Sequence, residues 1–332
     1  MTLDEIAREL NLSKSTVSRA LSGKGRIGSA TRERVIAFAR ESGRIREEKK
    51  PERVHTGNIG VVLPADVYTT GNPYFQGCLL GVCETASMMD FNILLTTSTA
   101  NDISNIRAMV EEKKVDGIIL TRSLEDDKAV QYLTGIHFPV GLTGLSDREE
   151  VLEVDIDNEG AAEQLTTLLI GQGYQRFALV VEDLSYQVNR SRYEGFCKAL
   201  LKNGLSREKQ FFHTVSLNME LLDSLIHNIL NRRVECIICG DDVVCTRIMA
   251  RLQADGYRIP RDVAIASLYN SSNLGCFTPA VTAVNVSAAQ VGNMIGKQLI
   301  QYILGQAYES RVMMDFEILL RKSTDPVRRE GR

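Results

Sequence analysis

Tryptophan is absent from the 332-residue chain, histidine occurs four times, and no apolar run approaches the roughly 18 to 20 residues that span a bilayer. The first absence leaves ring stacking to Phe and Tyr. The second removes a metal centre, because His55, His137, His213 and His227 have no ligand-like spacing. The third, with polar residues where a signal peptide would be apolar, predicts a cytoplasmic protein without a membrane partner. No G-x-S-x-G elbow is present. Gly292-x-x-x-Gly296-Lys297 is one residue short of a phosphate loop, lacks the following Ser/Thr and sits in a helical pattern. No nucleophile, metal or cofactor constellation emerges, so the expectation is a non-enzyme with no cofactor.

Seven cysteines, an odd number and mostly inside apolar runs, fit reduced, packed thiols. Cys236-Ile-Ile-Cys239 has the spacing of a redox or zinc motif, but its surroundings read as a buried strand. Residues three apart on a strand face opposite ways, which favours two packed thiols.

Hydrophobic residues make up 44% and charged residues 24%, the balance of a soluble globular protein, and the length suggests two or three domains. Net charge is −3, from 39 basic and 42 acidic residues, which taken whole argues against nucleic acid. The charge is segregated, however. Before Thr56 stand thirteen basic and eight acidic residues, a net +5, leaving −8 for the remainder. A basic head on an acidic body suits a protein that meets phosphates with one end.

In the head, Thr2-Leu3-Asp4-Glu5 forms a capping box before Ile6, Ala7 and Leu10 at helical spacing. Asn11 stands where a tight turn needs positive φ, and Ser13 can cap a second helix through Val17 to Leu21. A third helix is predicted from about Ser29 to Ser42, with Gly43 as its stop. Helix, short turn, helix is the pattern of a DNA-binding unit.

These residues carry a specific resemblance. Thr2-Leu3-Asp4-Glu5-Ile6-Ala7, Leu12-Ser13-x-x-Thr16-Val17-Ser18-Arg19-Ala20-Leu21 and Thr31-Arg32-Glu33-Arg34-Val35 resemble the head of the lactose/galactose repressor family. The resemblance implies that Lys14, Ser15 and Arg19 face base edges in the major groove and that Thr16 and Ser18 touch phosphates. Thr2 and Lys24 complete the candidate DNA contacts. Arg19 can hold guanine O6 and N7 with two hydrogen bonds. The alternative for each is a solvated helix face.

The connection departs from the family. Arg44-Ile-Arg-Glu-Glu-Lys-Lys-Pro51-Glu-Arg-Val54 has no Leu to wedge into the minor groove, carries dense charge, is about two residues shorter and places Pro51 where it interrupts a helix. A solvated linker, and an operator bent less than the family's, are the expectations.

From Asn58 onward, apolar runs (Ile59–Leu63, Ile93–Thr96, Val115–Leu120, Val140–Leu142, Phe177–Val181, Cys236–Cys239, Val263–Leu268) alternate with helical stretches such as Tyr74–Met88 and Ala161–Ile170. That alternation predicts parallel sheets wrapped by helices, and its restart at Arg176 predicts two lobes. The body also resembles the family, through Asn72-Pro73-Tyr74-Phe75, Val115-Asp116-Gly117-Ile118-Ile119-Leu120, Val154-Asp155-x-Asp157-Asn158, Arg192-x-x-Gly195-Phe196 and Thr278-Pro279-x-Val281-Thr282. The implied fold is α/β: an all-α helix-turn-helix domain (1–45), a linker (46–57), and a two-lobed, type I periplasmic-binding-protein-like domain. Its first lobe would take 58–157 plus 287–312 and its second 158–286 plus 313–325.

The resemblance puts an effector in the interlobe cleft, with Phe75 against its apolar face and Arg192 on its oxygens. Tyr186, Asp241, Tyr269 and Asn270 complete the candidate site, and Tyr193 is a further aromatic that could stack on a ring. Several clamps differ: Asp241-Asp242 replaces an Asn-Asp pair, Ser267-Leu268-Tyr269-Asn270 replaces Gly-Phe-Asp-Asp, and Gly144 stands where some members have Asp. Arg192 could instead form a cleft salt bridge, and Asp241 and Tyr269 could serve as cap and core. The reading is a bacterial, homodimeric regulator, most simply a repressor, on a palindromic double-stranded operator at the nucleoid, controlled by a carbohydrate. A cationic or donor-rich effector is the alternative. The competing classes are a free ligand-binding or transport-associated protein, which an intact helix-turn-helix opposes, and an α/β enzyme.

Overall fold

The structure, a computed structural model, describes residues 3–22, 27–41, 55–65, 72–214 and 219–326. It divides into a head, Met1–His55, and a body, Thr56–Arg332. Among the described residues no helix is long and apolar enough to cross a membrane.

The head holds α1 (Leu3–Glu9), α2 (Lys14–Ser22) and α3 (Ser29–Glu41). Ile6, Ala7, Leu10, Val17, Ala20 and Val35 form its small core, one stripe from each helix. Asn11 takes the left-handed turn position at φ 55°, and the Ser13 hydroxyl accepts from the Thr16 amide at 3.1 Å, capping α2. The expected continuation of α3 to Ser42 and the linker from Arg44 to Val54 lie outside the described residues.

The body begins with β1 (Asn58–Pro64), α4 (Pro73–Met88), β2 (Asn92–Ser98), α5 (Ser104–Glu111), β3 (Gly117–Leu120), α6 (Lys128–Gly135), β4 (Val140–Thr143) and β5 (Leu152–Ile156). The chain then crosses to α7 (Asn158–Gly171), β6 (Phe177–Val181), α8 (Gln187–Lys202), β7 (Phe211–Thr214), α9 (Met219–Asn231), β8 (Cys236–Cys239), α10 (Asp242–Ala254), β9 (Ala264–Ser267), α11 (Ser272–Cys276) and β10 (Thr282–Asn285). It returns with α12 (Ala288–Ile303) and β11 (Arg311–Met314), and crosses last to β12 (Glu317–Leu319). The sheet orders are β11-β5-β4-β3-β1-β2 and β12-β10-β9-β8-β6-β7, all parallel except the β10–β12 pair.

Each lobe depends on one close helix pair. A Cβ on Gly81 of α4 would fall 2.0 Å from the Ala289 carbonyl oxygen, and one on Gly292 of α12 would fall 2.0 Å from that of Cys78. In the second lobe a Cβ on Gly195 of α8 would fall 2.0 Å from the Glu159 carbonyl of α7. Gly292, the first of the phosphate-loop-like glycines of α12, therefore serves backbone approach.

Cys236 and Cys239 lie on opposite faces of β8, in separate cores, as free thiols. Two points differ from expectation. The last crossing follows Met314 rather than residue 312, because Met313 and Met314 pair with Asp155 and Ile156 in the first sheet and Met314 packs on its core. Strands β5, β7, β10, β11 and β12 were not anticipated: β5 interleaves acidic residues, and β7, β11 and β12 are short edge strands whose outer faces need not be apolar.

Gly81→Val is expected to lower the body's thermal midpoint, overpacking costing about 1–3 kcal/mol or more. Gly135→Ala, with nothing within 4 Å of the new Cβ, should leave it unchanged. Differential scanning calorimetry checks both.

Candidate functional site

Within the head, α2 buries Val17 and Ala20 and presents Lys14, Ser15, Ser18 and Arg19 to solvent, with Thr16 half-buried. The Ser13 hydroxyl also lies 2.9 Å from that of Ser15 and 2.7 Å from that of Thr16, tying the first turn together. This face offers one guanidinium, one ammonium and several hydroxyls on a rigid helix, donors suited to phosphates and base edges. Thr2 and Lys24 lie outside the described residues.

In the body, the strands' carboxyl ends from both sheets converge on a cleft lined by both lobes and open to solvent. The first lobe contributes Thr121 after β3, Thr143 of β4, Asp155 of β5, and Tyr74 and Phe75 at the start of α4. The second contributes Glu182 after β6, Asp241 after β8, Tyr269 after β9, and Tyr186, Asn189 and Arg192 from the start of α8. Phe75, Tyr186, Arg192, Asp241 and Tyr269 thus share one cavity. Asn270 does not line it. Its side chain is turned to the neighbouring strand and tail instead, donating to Asn285 Oδ1 at 2.9 Å and accepting from Arg321 Nη1 at 3.0 Å. Tyr193 packs instead on Phe212, with ring centroids 4.3 Å apart, beside the second core.

Arg192 sits at the centre electrostatically. It is 8% exposed, and its Nε has no hydrogen-bond partner among the described residues. Burial pushes its guanidinium below the usual arginine range, opposed by the negative charge of Asp241 and Asp155. Burial likewise raises Asp155 to about 6, although it accepts from the Ile156 amide at 2.8 Å and from Asn158 Nδ2 at 3.0 Å. Asp241 is raised by burial while its Oδ1 accepts from the Val244 amide at 2.8 Å, so it caps α10 and lines the cleft. Glu182 is raised to about 8, first by burial and then by repulsion from Asp241 and Asp183, against the pull of Arg192 and Arg247.

An aromatic corner faces these charges. Tyr74 meets Phe75 and Tyr269 edge-on, each at 5.6 Å between centroids, so the corner spans both lobes. Gly144 has φ 134°, and a Cβ there would fall 2.8 Å from that of Ser123, so an Asp would not fit this backbone.

At the cleft mouth the lobes are clasped. Leu124 and Tyr186 form an antiparallel bridge, the Glu125 amide donates to the Ser185 carbonyl at 3.1 Å, and the Gln187 amide to that of Ser123 at 3.2 Å. Arg190 and Glu125 add an ion pair, and Arg122 donates to the Tyr186 hydroxyl at 3.3 Å.

Sequence reasoning missed Tyr74, Arg122, Asp155 and Glu182 as cleft residues. Glu182 was findable, since it follows the apolar run Phe177–Val181 at a strand's carboxyl end.

Folding raises Glu182 from its ordinary 4.5 to about 8, so its contribution to stability is full below pH 4.5 and is lost as pH rises through 8. Glu182→Gln should therefore raise the thermal midpoint relative to the parent more at pH 9 than at pH 5. Melting curves at the two pH values decide it, and an equal difference at both would count against this account.

Comparison with known proteins covers both parts. Residues 2–46 match the family described as bacterial regulatory proteins, lacI family, and residues 56–320 match periplasmic binding proteins and sugar binding domain of LacI family. The HTH-type transcriptional regulator AglR of Rhizobium meliloti (strain 1021) is 27% identical, over 98% of this chain and 95% of that one. CelR of Thermobifida fusca is 25% identical, over 97% of this chain and 98% of that one. A solved structure described as a transcriptional regulator CelR-cellobiose complex superposes with a TM-score of 0.71 at 25% identity, covering 97% of this chain and 99% of the other. With both its head and its body matched, the chain belongs to the LacI family of bacterial DNA-binding transcriptional regulators.

Proposed function

We propose that this regulator is a homodimeric repressor whose grip on a palindromic operator is set by a sugar or sugar derivative bound in the interlobe cleft. The observation that carries the effector reading is Arg192, a buried guanidinium with an unpartnered Nε among the described residues, on a residue that lines the interlobe cleft. A relative described in complex with cellobiose supports the sugar class. The head (1–45) and the linker (46–57) carry the operator, and Lys14, Ser15, Thr16, Ser18 and Arg19 are its proposed contacts. Phe75, Tyr186, Arg192, Asp241 and Tyr269 are the proposed effector contacts.

The mechanism follows from where the contacts lie. Three crossings join the lobes, and the 123–125/185–187 clasp joins them again away from the crossings in sequence. An effector touching both walls favours the lobe arrangement in which both contacts are made. Operator affinity changes to the extent that this arrangement presents the heads differently, for which about 1–3 kcal/mol of coupling suffices. The body's net −8 repels phosphate, so two +5 heads supply the salt-sensitive affinity.

Dimerisation has a surface to suit it. Leu80 and Met88, 67% and 76% exposed, lie with Glu84 on one stripe of α4, and Leu95, 52% exposed, lies on the edge strand β2.

Arg19→Ala should abolish discrimination of operator from scrambled DNA in gel-shift competition, a loss of about 1–3 kcal/mol per guanine contact, with the melting curve intact. An unchanged preference would overturn that role. Leu80→Glu with Met88→Glu should give a monomer by sedimentation equilibrium and a weaker operator complex; a persistent dimer would place the interface elsewhere.

A further inference from the structure

Three carboxylates from different elements line the cleft: Asp155 at the end of β5, Glu182 after β6 and Asp241 after β8. Glu182 and Asp241 repel each other, and Asp183 adds to the repulsion on Glu182. The cations that answer them are Arg192 within the cleft and Arg247, whose charge reaches both Glu182 and Asp241. Arg122 also lines the cleft, but it is drawn to the clasp, donating to the Tyr186 hydroxyl and lying 5.7 Å from the centre of that ring.

A neutral polyol needs acceptors for its hydroxyls, and amides or backbone carbonyls supply these without charge. Clustering carboxylates away from water is costly, and a hydroxyl does nothing to relieve the repulsion among them. A ligand cation removes that repulsion and forms charge-assisted hydrogen bonds.

We propose that the effector is a polyhydroxylated amine, its ammonium held by Glu182 and Asp241, its oxygens by Arg192, and its apolar ring face set against Tyr74, Phe75 and Tyr269. This deepens the effector reading above and rests on it. Burial first, and then repulsion from Asp241 and Asp183, holds Glu182 well above the usual carboxylate range, and a ligand cation beside it would draw it back to its charged form. Arg192, which lines the cleft, keeps a buried Nε donor without a protein partner among the described residues.

The test is isothermal calorimetry on the full-length protein with D-glucosamine, D-galactosamine and the β-1,4 dimer of glucosamine, each beside its N-acetyl derivative and its neutral hydroxyl parent. At least one amine is expected to bind about tenfold or more tightly than both neutral counterparts, and Glu182→Gln is expected to remove about tenfold of that preference. Asp241→Asn, whose side chain still caps α10, is the second variant should the first not fold. A preference that survives both variants overturns the proposal. Binding of neutral sugars with no amine preferred also overturns it, and leaves the cleft as the effector site. Binding of neither class overturns both readings.

Discussion

A guanidinium taken out of water must be answered by negative charge, and at Arg192 the answering charges come from both lobes. Asp155 belongs to the first sheet and Asp241 to the second, so neither lobe alone compensates this cation. The aromatic corner of Tyr74, Phe75 and Tyr269 forms across the same gap. Were the lobes to separate, Asp155 would move away from Arg192 and water would have to replace it. Lobe closure and charge compensation are therefore one event rather than two.

The rest of the body makes that single degree of freedom usable. Backbone-to-backbone contact at Gly81 and Gly292 makes α4 and α12 one block, and Gly195 does the same for α7 and α8. With each lobe stiff, relative motion is left to the crossings near residues 157, 287 and 315, and is opposed by the clasp. The clasp is built from backbone pairs, one exposed ion pair and the Arg122–Tyr186 hydrogen bond, a weak and reversible closure of the kind suited to a switch.

Much of this was legible in the residues. The turn at Asn11, the cap at Ser13 and the buried positions of α2 follow from local rules that tertiary context did not override. Strands β6 and β8 match their apolar runs residue for residue, because central parallel strands are buried on both faces. The edge strands were not legible for the converse reason. In the cleft, Phe75, Arg192 and Asp241 came from motif position and Glu182 could be reached from its place after an apolar run, whereas Asp155, on a strand that interleaves acidic residues, gains meaning only from the crossings that bring strand ends of two sheets together. Asn270 failed on side-chain direction: it is adjacent to a cleft residue in sequence and turned to Asn285 and Arg321 in space.

The return of the chain to the first lobe has a consequence for how the protein comes into being. The core of that lobe takes Val291, Ile295, Leu299, Ile300 and Ile303 from α12, which is made after every strand of the second lobe but β12. During synthesis the first sheet therefore waits, its apolar face uncovered, while the head has been complete since about residue 41. A nascent chain holds the part that reads DNA long before it holds a finished body, and only about the last seventh of the sequence closes the first lobe.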